Sequence, residues 1–357
     1  MDDLVGRYSL VRLIREQADT IVYEGRREAP EFRRRVAIKI VHPDADEDFS
    51  RAYADEARLL GYLEHRNIVR LLDAGRHEHR PFLVFDYVDG ITVGELLRVE
   101  RGGISAVIAL FIAVELAHAL AYAHELTDDT GAPLRIVHRD VTPANVILSW
   151  AGDVILTDFG IAKARERSTQ TAVGVTKGTP SFMAPEQLRA DHVDLRSDVF
   201  GLGCLLHFML VGRSAVDARR AVSLDRSLPP EILALLDRCT REDRAERFAD
   251  MRALAAAAWN LVAPRATKDP RTRLIEVLDR VRGKPAVPPA RQLVAELFSA
   301  AMLPELPLEP SSGDGEPSTD ASLSPHDQTL DPSEFYDDKT MDWAPDPKGD
   351  YPTRPGK

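Results

Sequence analysis

The sequence predicts an α+β protein of two lobes, a small antiparallel β lobe with one helix and a larger, mostly helical lobe. Three observations carry this. Residues 8–90 alternate short β-type runs with turns, interrupted once by a helical pattern. From residue 91 the apolar spacing becomes that of helices. The β signal then returns only briefly, between 133 and 158, and helical patterns resume after 186.

Taken in order, "YSLVRLI", "TIVYEGR", "RVAIKIV", "IVRLLDAG" and "FLVFDYV" read as strands of the first lobe. "EDFSRAYADEARLLGYL", roughly 47–63, reads as its helix. "TVGELLRV" and the long stretch 104–125 open the helical lobe, which continues through "DLRSDVFGLGCLLHFML", "PPEILALLDRCT" and "FADMRALAAAAWNLV". Two short amphipathic patterns follow, one over 272–282 with Leu274, Val277, Leu278 and Val281, and one around 290–302. The plainer reading, that both pad the outside of the main domain, is preferred to the docking of a partner. From 304 the chain holds 10 of its 24 prolines and 13 Asp/Glu against 4 Lys/Arg, so it is expected to be a disordered acidic tail.

Composition excludes several classes. Of the net charge of −11, the tail contributes 4 − 13 = −9, so the body is near neutral and gives no support to a nucleic-acid partner. Cys204 and Cys239 stand far apart without a CxxC or a nearby His, which argues against a disulfide framework or structural zinc. The start, "MDDLVGRYSL", is acidic and polar, unlike a signal peptide. The most apolar run, "AVIALFIAV" at 106–114, is read as a buried helix because it is too short to cross a bilayer. No membrane segment and a cytoplasmic location are expected. "RHEHRP" at 76–81 is read as a turn between two strands with solvated charges, in preference to a metal site.

Chemistry concentrates in three motifs. In "VAIK", Lys39 sits in an apolar run, where an unpaired ammonium is costly, and Glu56 on the following helix is its candidate partner. In "VHRDVTPANVIL", Asp140 can accept a proton from an attacking hydroxyl, and Asn145, five residues on, can ligate a divalent cation through its amide oxygen. In "LTDFG", Asp158 adds a second hard oxygen ligand.

In this order, and followed by "GTPSFMAPE", the motifs resemble the eukaryotic-like, bacterial-type Ser/Thr protein kinase family. The resemblance covers about residues 8–262, which it implies is a protein kinase domain of bilobal protein-kinase fold. Residues 263–303 would then be a short amphipathic helical extension and 304–357 the tail. It further implies transfer of the ATP γ-phosphate to protein Ser/Thr hydroxyls, with Mg2+ (Mn2+ possible) as the metal. Asp140 is the implied base, Asn145 and Asp158 the metal ligands, and Lys39 with Glu56 the phosphate-anchoring pair. Ile14, Arg15, Gln17, Thr20, Val22, Ala37, Asp86, Val88 and Ile147 are the implied nucleotide-binding positions, with Phe85 as gatekeeper. Thr179 would face the substrate. Thr169, Thr171 and Thr176 would be phosphate acceptors on the activation loop, answering to Arg139. Asp198, Glu186 and Arg247 are implied to serve architecture, and His138 is read as a packed, hydrogen-bonded residue.

Two departures stand out. Thr142 occupies a position where the family usually carries a lysine, so slower transfer is expected. The lid "LIREQADTIVYE" has Arg15, Gln17 and Thr20 at the three glycine positions. If those positions demanded positive φ, each Cβ would cost about 1–2 kcal/mol. Restoring glycine there is expected to lower the apparent KM for ATP. Arg15 could compensate as a cation, opposed by Glu16 and Asp19. These departures leave two alternatives to an active protein kinase: a pseudokinase acting as a regulatory or scaffold protein, and a small-molecule phosphotransferase of related fold. The latter normally lacks the segment from 158 to 186. The tail echo "DQTLD" and "DKTMD" offers Thr329 and Thr340 to a phosphothreonine-reading partner, with chance as the default explanation.

Overall fold

The computed structural model describes residues 4–17, 19–29, 32–43, 45, 47–100, 102–159, 180–212 and 228–282. The first lobe is a six-stranded antiparallel sheet in the order β1-β2-β3-β4-β6-β5. Its strands are β1 (Leu4–Val5), β2 (Tyr8–Glu16), β3 (Thr20–Ala29), β4 (Phe32–Val41), β5 (Leu71–His77) and β6 (Arg80–Asp86), with α1 (Glu47–Gly61) between β4 and β5. The run at 76–81 is the β5–β6 hairpin, His77 opposite Arg80, with Glu78 and His79 both at positive φ as a tight two-residue turn requires.

Strand alternation decides what faces the cleft. On β4, Val36, Ile38 and Ile40 are buried with Val5, Tyr8, Phe82 and Val84 in a small core on one face of the sheet. Ala37 and Lys39 therefore project from the opposite face. Val22 and Glu24 on β3 are paired with Lys39 and Ala37, and so share that face.

The second lobe begins with β7 (Gly90–Thr92) and α2 (Val93–Val99), capped by a reciprocal Thr92–Glu95 box. Its centre is α3 (Ala106–Glu125), buried along most of its length. At 20 residues, α3 is long and apolar enough to span a membrane by length and composition. Burial within the core accounts for its composition, so length alone, which the nine-residue run seemed to settle, is the weaker argument. β8 (Val146–Ser149) and β9 (Val154–Leu156) form a three-stranded sheet with β7. The lobe continues with α4 (Pro185–Leu188), α5 (Arg196–Val211), α6 (Pro230–Cys239), α7 (Met251–Val262) and α8 (Pro270–Arg282). Gly212, at φ +75°, ends α5 and donates its N–H to the Phe208 carbonyl. The apolar stripe of α8, Leu274, Val277, Leu278 and Val281, is buried in the same core as α3. The pattern around 290–302 and the tail lie outside the described residues, as do Gly160–Thr179.

Candidate active site

The catalytic loop is organised around one buried carboxylate. Asp198, in the first turn of α5, is 1% exposed and accepts hydrogen bonds from three donors. The amides of His138 and Arg139 each donate at 2.8 Å, and His124 on α3 approaches through Nε2 at 2.8 Å. Burial alone would raise the Asp198 pKa, but the hydrogen bonds from His124 and from the His138 amide outweigh it and hold it below the usual range. Arg139 adopts positive φ, +65°, in the middle of this grip, and its carbonyl accepts from Gln187 Nε2 at 2.9 Å.

His138 is a neutral scaffold residue. Its Nε2 donates to the Thr157 carbonyl at 2.9 Å, while Nδ1 accepts the Asp140 amide at 3.2 Å. One nitrogen donating and the other accepting is the pattern of uncharged imidazole. Complete burial lowers its pKa, in the same sense. The ring also packs on Phe159, centroids 4.5 Å apart. His138 thus joins the catalytic loop to the segment carrying Asp158.

Asp140 lies half-buried at the head of the loop. Asn145 Nδ2 donates to the Asp140 backbone carbonyl at 2.9 Å, which fixes the amide with its oxygen on the opposite side. Thr142 is 5% exposed and begins the 3-10 turn Pro143–Asn145, its carbonyl accepting the Asn145 amide. Asp158 follows β9 at φ +57°. Lys39 Nζ donates to its Oδ1 at 3.1 Å, and Arg15 forms an ion pair with its Oδ2. Asp158 alone has drawn the two cations, and its carboxylate with the Asn145 amide oxygen could hold a hard divalent ion. Lys39 also lies over Tyr53 of α1, 5.7 Å from the ring centroid. Glu56 sits on α1 one turn beyond Tyr53, and its side chain is outside the described residues.

Val22, Ala37 and Ile147, the positions expected to meet adenine, are half-buried. Phe85 lies opposite Ala37 on β6. The Asp86 amide is taken by the Arg70 carbonyl at 3.0 Å, so what Asp86 can offer a base is its own carbonyl. Val88 lies in the segment joining β6 to β7. In the lid, the Gln17 amide closes the hairpin on the Thr20 carbonyl at 2.9 Å, and Thr20 is buried. Arg15, Gln17 and Thr20 all avoid positive φ, so the left-handed penalty attached to the missing glycines does not arise. Ile14 is the extra residue of a β2 bulge and is exposed.

Glu186 and Arg247 form a buried, two-pronged ion pair at 2.7 and 2.8 Å, with Ser197 also donating to Glu186. Burial opposes the charge on Glu186, but Arg247 and Ser197 prevail and lower its pKa. The remaining Arg247 donors go to the carbonyls of Arg241, Arg196 and Glu242. The sequence reading missed His124, the Arg15–Asp158 contact, and a network in which Glu24 accepts from Arg12 and Arg35 while Arg35 stacks on Tyr87. Charged residues alternating on β2–β4 were the available signal for the last. Thr169, Thr171, Thr176 and Thr179 lie outside the described residues.

Two lobes, with a strand lysine meeting a cleft aspartate beside the loop that carries Asp140, are the frame of a kinase fold. Residues 20–274 match the protein kinase domain family, and the chain belongs to it. It is 38% identical over 208 residues to the tyrosine-protein kinase MasK of Myxococcus xanthus, covering 57% of this chain and 32% of that protein. It is 32% identical over 273 residues to the serine/threonine-protein kinase PknL of Mycobacterium tuberculosis, covering 71% of this chain and 65% of that protein. The chain thus spans about a third to two thirds of the length of these relatives. The crystal structure of the Mycobacterium tuberculosis PknI kinase domain superposes with a TM-score of 0.56 at 27% identity, covering 72% of this chain and 97% of that one.

Proposed function

We propose that this protein is an ATP-dependent serine/threonine protein kinase. The observation that carries the proposal is Asp140 and Asn145 on a loop gripped by Asp198, tied through His138 to the segment whose Asp158 already holds Lys39. Asp158 and Asn145 would hold magnesium, which neutralises charge on the transferring phosphoryl group. Lys39 orients the α- and β-phosphates. Asp140 orients the attacking hydroxyl and takes its proton. The Asp86 carbonyl and Val88 bind the adenine edge. Thr169, Thr171 and Thr176 are the proposed sites of autophosphorylation, and Thr179 is the proposed contact to the substrate hydroxyl. Recruitment of a phosphothreonine reader through Thr329 and Thr340, and action in the cytoplasm, belong to the same proposal.

The pseudokinase alternative rested on the glycine-free lid and Thr142. The hairpin closes without left-handed strain, which narrows that objection to the missing charge at 142. A second acceptor class is favoured by one observation, the tyrosine specificity in the name of the Myxococcus relative. Phosphoamino-acid analysis after incubation with Mg-ATP decides between them. Phosphoserine and phosphothreonine, absent from Asp140→Asn, are expected. Phosphotyrosine alone would move the protein to the other class, and no protein phosphate with any divalent metal would refute the kinase reading.

A further inference from the structure

Arg15 reaches the cleft on a strand with two register irregularities, one between Leu10 and Arg12 and one just before Arg15. Leu13 pairs with Tyr23 and Arg15 with Val22, leaving Ile14 unpaired as a bulge. Val22 in turn pairs with Lys39. Directly opposed side chains in an antiparallel sheet point to the same face, so Arg15, Val22 and Lys39 form one row across three strands. With the first irregularity kept and the second removed, Arg15 would shift by one position and face away. At the end of this row the guanidinium meets one oxygen of Asp158 and the Lys39 ammonium meets the other. The Arg15 side chain is 23% exposed and that of Lys39 is 14% exposed. Glu16, the next residue, lies 3.8 Å from His42 and alternates to the opposite face, so it does not cancel the charge.

Among the described contacts, two cations share the Asp158 carboxylate beneath the lid. We propose that Arg15 is a phosphate-binding residue, exchanging Asp158 for the terminal phosphates of the nucleotide when Asp158 turns to a divalent cation. This rests on the kinase reading above and names how its lid works. A planar guanidinium can grip phosphate oxygens through two parallel donors, replacing the close backbone approach that glycine gives other lids. It also explains why the lid tolerates side chains: its grip is a charge carried on a strand, one pair inward from the turn.

The test is calorimetric titration of the full chain with ATP, ADP and adenosine in the presence of magnesium, for the natural protein, Arg15→Gln and Arg15→Lys. Arg15→Gln should weaken ATP about tenfold or more, ADP less, and adenosine by under twofold. Arg15→Lys should recover part of the loss. The readout is the ratio of ATP to adenosine affinity, which a partly unfolded sample does not move. An unchanged ratio in Arg15→Gln would overturn the proposal, leaving Arg15 as a counter-ion to Asp158 or a packing residue. Should the natural protein bind neither ATP nor adenosine, the kinase reading itself falls.

Discussion

The catalytic loop and the lid face each other across one cleft and are held by opposite means. The loop hangs on Asp198, 1% exposed, through two amides and an imidazole, and a neutral, fully buried His138 ties it to the Asp158 segment. Among the described residues, the lid turn is held by the Gln17 amide on the Thr20 carbonyl and the His42 amide on the Asp19 carbonyl, and it meets Asp158 through the partly buried Arg15. Buried hydrogen-bonded groups have few alternative partners, whereas a surface arginine has many. Position is therefore invested in the proposed base and metal ligands, and freedom is left to the part that, on the kinase proposal, admits and releases nucleotide.

The contrast can be broken by substitution. Asp198→Ala strands three donors, and at about 1–3 kcal/mol for each unsatisfied group the expected loss is on the order of 5 kcal/mol by urea titration. A loss near 1 kcal/mol would show that the loop does not hang on this carboxylate. Next, Glu186→Gln breaks a buried pair and leaves Arg247 uncompensated, which should cost about 3 kcal/mol in the same measurement. An effect below about 1 kcal/mol would place the pair in solvent. Third comes acid sensitivity. The His138 pKa is lowered by burial, so below about pH 6.5 the unfolded chain binds the proton that the folded loop refuses. Stability should therefore fall as pH drops from 7 to 5, and His138→Asn should flatten that slope. Asp198 and Glu186, whose pKa values are lowered, add a further loss at lower pH as they protonate. Last, Gln17→Gly in the exposed hairpin should change stability by no more than about 0.5 kcal/mol. A cost comparable to Asp198→Ala would erase the distinction between the two regions.

Much of the cleft was legible in the sequence because its residues are consecutive. Lys39 in an apolar strand run, Asp140 with Asn145, and Asp158 are each fixed by short local geometry, and the structure brings Lys39 and Asp158 together. Asp198, Glu186 and Arg247 likewise sit where the resemblance implied. Of the partners of Lys39, the expected Glu56 has its side chain outside the described residues, and the contact to Asp158 was not read from the sequence. His124 had no signal: a histidine near the end of an apolar helix says nothing about a carboxylate 74 residues later. The lid was legible as an alignment but not in its register. Arg15, at a glycine position of the family pattern, is also the strand neighbour of Val22, on a strand with two irregularities that no sequence period announces. If Arg15 grips phosphate as proposed, glycine at 15 should weaken ATP binding while glycine at 17 should leave it nearly unchanged.

The central claim is that the cleft transfers phosphate despite its glycine-free lid. Radiolabelled phosphate incorporated by the full chain from Mg-ATP, measured beside Asp140→Asn, tests it most directly. The account predicts incorporation by the natural protein that falls about 10²–10⁴-fold in the variant while both bind ATP equally. Equal incorporation in the two, or none in either with ATP bound, would contradict it.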